Sequence, residues 1–244
     1  MKITQSGSVV GGWRTAMLGA LFAFTLAVIV CGNGALHAAG RATLVPAPAL
    51  DNPRAAGPLQ TAVLAGGCFW GTQGVFEHVK GVRQVVAGYS GGDRSTASYA
   101  KVSTGTTGHA ESIQVTFDPA EVSYGEILRV FFSVAHDPTE LNRQGPDDGT
   151  QYRSATFYSD PAQQKIALAY IAQLQQTHVF GRPVVTRVDP LKGFYPAENY
   201  HQDYLVHNPR EAYIVYNDLP KIANLKRVLP ELYRDQPVLI AATK

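Results

Sequence analysis

Thr61-Ala62-Val63-Leu64-Ala65-Gly66-Gly67-Cys68-Phe69-Trp70-Gly71 is the stretch from which the rest of the chain can be read. Its first five residues are an apolar run of strand length. Beyond it, Thr72, Val75, Phe76 and Val79 recur three or four apart, the spacing of one helix face. The two patterns meet at Cys68, which is therefore expected at a strand-to-helix corner beside the helix's first turn. Unpaired N–H groups there favour negative charge, so the thiol's pKa is expected to fall. Glycines on both sides permit close backbone approach, and Phe69 and Trp70 offer an apolar surface beside the sulfur. A buried, inert cysteine is the default for one thiol alone; the glycine-flanked corner favours a nucleophile.

Working outward, Gly81 stops the helix, and Val82, Val85, Val86 and Tyr89 suggest a strand ended by Ser90-Gly91-Gly92-Asp93. Glu111, Ile113, Val115 and Phe117 then alternate with polar residues as a clear strand. Glu111 falls in phase with the apolar face, an unusual place for a carboxylate, although a strand-end Glu more commonly just reaches solvent. Ser123-Tyr124-Gly125-Glu126 has the capping-box spacing, and its helix carries Ile127, Leu128, Phe131, Val134 and Ala135 on one stripe. Tyr152–Tyr158 reads as a strand. Asp160-Pro161 opens a second helix, with Ile166, Ala169, Tyr170 and Leu174 inward, and Val184–Val188 is another strand. Strand-helix-strand given twice predicts an α+β fold with a ferredoxin-like split βαβ core and added C-terminal elements. Four aromatics among polar residues over Phe194–Tyr204 suggest a loop or short helix lining a site. One further helix is expected from Pro220.

Towards the amino terminus the character changes. Lys2 and Arg14 precede the apolar run Ala16–Cys31, and small residues follow at Ala35-Leu36-His37-Ala38-Ala39. That order describes an export signal over 1–39, with an uncleaved membrane anchor as runner-up and a periplasmic or secreted location expected. Residues 40–60 carry Pro46, Pro48, Pro53 and Pro58 without periodicity and read as a flexible linker or tether. The globular domain is expected over 61–244, with its core over 61–208.

The whole chain has 21 Lys+Arg and 19 Asp+Glu, and the first 39 residues hold two of the cations and no acid. The remaining domain is thus balanced, which argues against nucleic acid or an anionic membrane as partner. Of two cysteines, Cys31 lies in the apolar run, leaving Cys68 alone and excluding an internal disulfide in the exported domain. The histidines show no metal-ligand spacing, and no phosphate-cradling glycine motif occurs. What remains is one thiol, one core-facing carboxyl and several tyrosines. A thiolate attacking an electrophilic sulfur or carbon, with an acid protonating the departing oxygen, uses that set. A thiol hydrolase would instead pair Cys68 with His109, His136 or His201. A non-enzymatic envelope domain with an aromatic peptide groove is the third class.

Several of these stretches together resemble the A-type peptide methionine sulfoxide reductases. Gly67-Cys68-Phe69-Trp70-Gly71 resembles the family's nucleophile signature, and Gly88-Tyr89-Ser90-Gly91-Gly92 its glycine turn. Gly108-His109-Ala110-Glu111 is similar to its acid motif, followed by Phe117-Asp118-Pro119. His136–Thr139, Asn142–Ser154, Phe194–Glu198 and Tyr200–Tyr204 extend the match in one order from about Thr61 to Asn208. The resemblance implies an α/β sandwich in which Cys68 attacks the sulfoxide sulfur and Glu111 protonates the oxygen. Tyr99 and Tyr152 would hydrogen-bond that oxygen, Phe69 and Trp70 would hold the S-methyl group, and Asp147 would support substrate binding or thiol recycling. It implies action on the S epimer of free or protein-bound methionine sulfoxide, in repair of oxidative damage, without bound cofactor or metal. A monomer is the expectation. Many members carry resolving cysteines near the C-terminus, and Gly181–Lys244 has none. A sulfenic acid on Cys68 would then need an outside thiol, from a thioredoxin-like protein or a small molecule.

Overall fold

The computed structural model describes residues 42–240, all within the second of the chain's two units, Ala35–Lys244. The expected export segment, with Cys31, lies outside the described residues. Strand β1 (Gln60–Gly66) runs into helix α1 (Phe69–Glu77), then β2 (Val82–Ser90), the single turn α2 (Tyr99–Val102) and β3 (Ala110–Phe117). Helix α3 (Tyr124–Val130) continues as a π turn to Ala135, and a small hairpin of β4 (Arg143–Gln144) and β5 (Asp147–Asp148) precedes β6 (Ser154–Tyr158). Then come α4 (Pro161–Gln176), β7 (Arg187–Pro190), β8 (Phe194–Pro196), the turn α5 (Tyr204–His207) and α6 (Leu219–Val228).

Six strands form one sheet in the order β7-β6-β1-β3-β2-β8. Its centre, β6-β1-β3-β2, has every neighbour antiparallel, so β3 lies between the two parallel strands joined through α1. That is the split βαβ arrangement expected from the element order. The additions are β7, parallel to β6, and β8, antiparallel to β2.

Alternation along the strands divides the core. Ala62 and Leu64 of β1 join Ile113, Val115 and Phe117 of β3 under the helices, while Val63, Ala65, Ala110, Ala155 and Phe157 form a smaller cluster on the opposite face. The helices start where the local chemistry says they should. Ser123 and Glu126 complete a reciprocal capping box, and Asp160 Oδ1 accepts from Gln163 N–H with Pro161 in the first turn.

Three expectations shift. Tyr152 ends a 3-10 turn over Thr150–Tyr152, so β6 starts only at Ser154. The last parallel strand lies at Arg187–Pro190 rather than 184–188, because Val185 N–H is taken by Pro138 O. On α4, Ala167 is fully buried and Ala169 only partly. The larger correction concerns the segment read as a flexible linker, whose described part is a strap on α3 and α4. Thr43 N–H donates to Ser133 O, Val45 is wholly buried, and the Tyr170 hydroxyl donates to Pro46 O at 2.6 Å. Asp51 accepts from Gly125 N–H and Ser123 Oγ, adding a second acid to the α3 cap.

Candidate active site

Gly67, with φ +86°, turns the chain from β1 so that Cys68 becomes the N-cap residue of α1. A Cβ at Gly67 would lie 2.5 Å from Gln144 Cβ, so the β4–β5 hairpin packs directly on this turn. Thr72 Oγ1 donates to Cys68 O at 2.8 Å and fixes the first turn. Cys68 is buried, with 9 % of the residue exposed.

Glu111 projects from the start of β3 onto the helix side of the sheet, as its phase predicted. Its Oε2 accepts the Phe69 N–H at 3.0 Å, which places the carboxyl on the same first turn as Cys68. Only 3 % of Glu111 is exposed. Burial pushes its pKa up to about 8 against the pull of the Phe69 N–H, with Asp147 and Asp218 adding to the rise. At neutral pH Glu111 is therefore mostly a neutral acid.

The thiol does not follow the sequence expectation. Burial, then Glu111 and Asp218, push Cys68 well above its ordinary value, and the opposing effects of the Trp70 N–H and Lys221 are smaller. The helix terminus is where it was predicted, but desolvation and nearby carboxylates outweigh it.

Around this pair stand the other expected groups. Tyr99 begins α2, held by its N–H on Glu198 Oε1 at 2.9 Å, and its ring lies 4.5 Å from that of His201. Burial raises the Tyr99 and Tyr152 hydroxyls, with Glu111 and Cys68 contributing to both, so both remain protonated donors facing the same cluster. Asp147, on β5, accepts the Tyr213 hydroxyl, and burial raises its pKa. Phe69 packs on Tyr89 and His201 with centroids 5.8 and 5.1 Å away. Trp70 stacks on Tyr204 at 3.8 Å, meets Tyr213 edge-on, and donates its indole N–H to His201 Nδ1 at 3.1 Å. Every expected site residue thus belongs to one cluster.

The stretch Ala197–Asp203 supports the site rather than reacting in it. Glu198 accepts the Tyr89 hydroxyl, Gln202 bonds Ala87 through both N–H and C=O, and Asp203 N–H reaches Gln73. Of the histidines nominated as a base, His109 bonds Gly92 N–H and Asp93 O, and His136 bonds Phe131 O and Ser154 Oγ, so each has both ring nitrogens engaged. His201 accepts from Trp70 at Nδ1, which leaves its proton on the unpartnered Nε2 and no lone pair there to act as a base. Burial also takes His136 down to about 4. Among the described residues no group of three His, Cys, Asp or Glu side chains could hold a metal ion.

Sequence reasoning missed the contribution of the C-terminal segment. Tyr213 joins Asp147 and Trp70, and Asp218, with no exposure, pairs with Lys221 at 3.1 Å. A Cβ at Gly71 would overlap Asp218 Oδ1 and lie 2.9 Å from Lys221 Nζ, so the ion pair rests on the first turn of α1. Only the Asp-x-Pro start of α6 marks Asp218 in sequence, and that signals a helix, not a site.

The family model described as peptide methionine sulfoxide reductase matches residues 60–231. A peptide methionine sulfoxide reductase MsrA 2 of Mesorhizobium japonicum is 57 % identical over 187 residues, covering 77 % of this chain and 96 % of the relative. One from Synechocystis is 51 % identical, covering 75 % and 87 % respectively. Among solved structures, reduced Mxr1 of Saccharomyces cerevisiae superposes with a TM-score of 0.58 at 36 % identity, over 63 % of this chain and 87 % of that one. Methionine sulfoxide reductase A of Corynebacterium diphtheriae gives 0.55 at 34 % identity, over 69 % and 88 %.

Proposed function

Because the chain belongs to the peptide methionine sulfoxide reductase family, we propose that Cys68 is its nucleophile, Glu111 its acid, and an outside thiol its reductant. The chain is an oxidoreductase of the MsrA type, a peptide-methionine (S)-S-oxide reductase that returns methionine sulfoxide to methionine. The observation that carries the residue assignment is the 3.0 Å bond from Phe69 N–H to Glu111, which holds a protonated carboxyl on the nucleophile's own helix turn.

In the first step the Cys68 sulfur attacks the sulfoxide sulfur, the S–O bond breaks, and the oxygen passes to Cys68. Thiol and sulfoxide become sulfenic acid and thioether, a two-electron oxidation of one sulfur matched by reduction of the other. Glu111 protonates the oxygen as charge develops, and the thiol proton makes good the loss. Tyr99 and Tyr152 donate hydrogen bonds to the same oxygen. Phe69 and Trp70 form the apolar wall for the S-methyl group, and Asp147, tied to Tyr213, positions the substrate.

Recovery follows from the cysteine inventory. Cys68 is the only cysteine among the described residues, so one outside thiol condenses with the sulfenic acid, releasing water, and a second frees Cys68 from the mixed disulfide. Either a thioredoxin-like protein or a small-molecule thiol has the required chemistry. The basic, apolar and small-residue order of residues 1–39 supports export, with the reaction then taking place in a periplasmic or secreted setting. Oxidised polypeptides and free methionine sulfoxide are the proposed substrates.

Incubation with methionine sulfoxide and a sulfenic-acid trap should label Cys68 and release one equivalent of methionine. Cys68→Ser should lose both. Turnover retained without Cys68, or an unlabelled thiol under saturating sulfoxide, would overturn the cycle.

A further inference from the structure

On the sheet face opposite Glu111 lies a cavity of about 510 Å³ that the reduction chemistry does not use. Phe157 of the smaller apolar cluster forms part of its wall. Its charged lining is Arg153, Arg187, Lys192 and Asp189, three cations against one carboxylate.

Arg153 is the decisive member. It is 7 % exposed, and its partners are the carbonyls of Gly108, His109 and Thr150, none of them charged. Its Nε is buried without a partner. Asp189, the one acid in the lining, is already engaged by Arg187 at 3.0 Å, and Lys192 is exposed with no partner among the described residues. A buried cation without a counter-charge is costly, and natural folds normally pair it. Three carbonyl bonds hold the guanidinium at the cavity wall, where a Cβ at Gly91 would come within 2.7 Å of its Nη2. Asn142 and Thr150 add polar groups to the same lining.

We propose that this cavity is an oxyanion-binding site, taking a phosphate or clustered carboxylate group against Arg153, Arg187 and Lys192. Planar guanidinium groups suit such oxygens, and the volume leaves room for the atoms that carry the charge. The anion has two possible carriers, a free small phosphorylated molecule or the acidic side chains of the polypeptide under repair. The 142–153 segment links the two sites, since Asn142, Thr150 and Arg153 line the cavity while Asp147 and Tyr152 belong to the catalytic cluster.

Calorimetric titration of the full chain with inorganic pyrophosphate at low ionic strength tests the site without using the reductase reaction. Arg187→Glu combined with Lys192→Glu changes only exposed side chains outside the catalytic machinery. It should weaken binding at least tenfold, whereas Lys165→Glu with Arg210→Glu, the same charge change elsewhere, should alter it less than threefold. In a second arm, KM is compared for methionine sulfoxide peptides with acidic or neutral flanks. A rise of tenfold for the acidic peptide alone in the cavity variant identifies the polypeptide as carrier, and unchanged KM values with lost pyrophosphate binding identify a free anion. If neither probe distinguishes the cavity pair from the control pair, the site is overturned.

Discussion

Two carboxyl groups converge on the first turn of α1 from segments more than a hundred residues apart, and they keep different company. Glu111 arrives on β3 and is held by a backbone N–H, with no cation bonded to it. Asp218 arrives at the start of α6 and is held by the Lys221 ammonium. Both are buried, and burial pushes both pKa values up. For Glu111 nothing cationic opposes the rise, which reaches about 8, whereas Lys221 pulls Asp218 back towards its ionised form. Equal burial therefore yields a proton donor on one side of the helix turn and a fixed ion pair on the other. The partner decides the role.

That contrast can be broken most severely at Glu111. Glu111→Gln should slow sulfoxide reduction in a single turnover by roughly 10²–10⁴-fold while KM changes little. Equal losses in rate and affinity would make Glu111 a positioning group instead. The same carboxyl should mark the pH profile. Glu111 is competent below about 8 and ionises above it, so the reduction step should fall towards tenfold per pH unit beyond that point. The falling limb should be absent from the residual activity of Glu111→Gln, and a limb that persists there belongs to another group.

On the other side, Lys221→Met leaves Asp218 buried without its cation and should cost about 3 kcal/mol in urea unfolding at pH 7. Adding Asp218→Asn should restore much of that loss. If the double variant is no more stable than the single one, the loss does not come from the unpaired Asp218 charge. Smallest is Gly71→Ala. Alanine in a helix ordinarily adds about 0.5–1 kcal/mol, but here its Cβ would displace the ion pair at a cost of about 1–3 kcal/mol. A net gain in stability would show that Asp218 and Lys221 can move away freely.

How legible these features were in sequence follows from how local they are. The strand-helix order, the Ser123 capping box and the phase of Glu111 each depend on residues a few positions apart, and each was readable. The Cys68 corner was readable too, yet its pKa direction was not. The helix-terminus effect is local, while burial and the charges of Glu111 and Asp218 are tertiary. Tyr213, Asp218 and Lys221 reach the site only because the tail folds back onto α1, and no spacing within residues 213–221 encodes that. The strap over 42–59 escaped notice for a different reason. Val45, Pro46 and Asp51 hold it through scattered contacts with no period, so a reading based on periodicity sees only a linker. The family match starts at residue 60, but a chain cut there would lose the Asp51 contribution to α3 and uncover the site of Val45.

The β1–β3 ladder has a consequence for handling the protein. Leu64 opposes Ile113, so the strand carrying the acid is indexed against the strand leading to the nucleophile by the backbone ladder and by the apolar face the two strands share. A slip of one residue would turn Glu111 to the far side of the sheet and bring a neighbour, Ala110 or Ser112, onto the catalytic side. The same slip would carry Ile113, Val115 and Phe117 out of the main core, so the acid's position and the burial of β3 are lost together. Specific activity per thiol and the cooperativity of unfolding should therefore fall together in any variant that loosens the β1–β3 register.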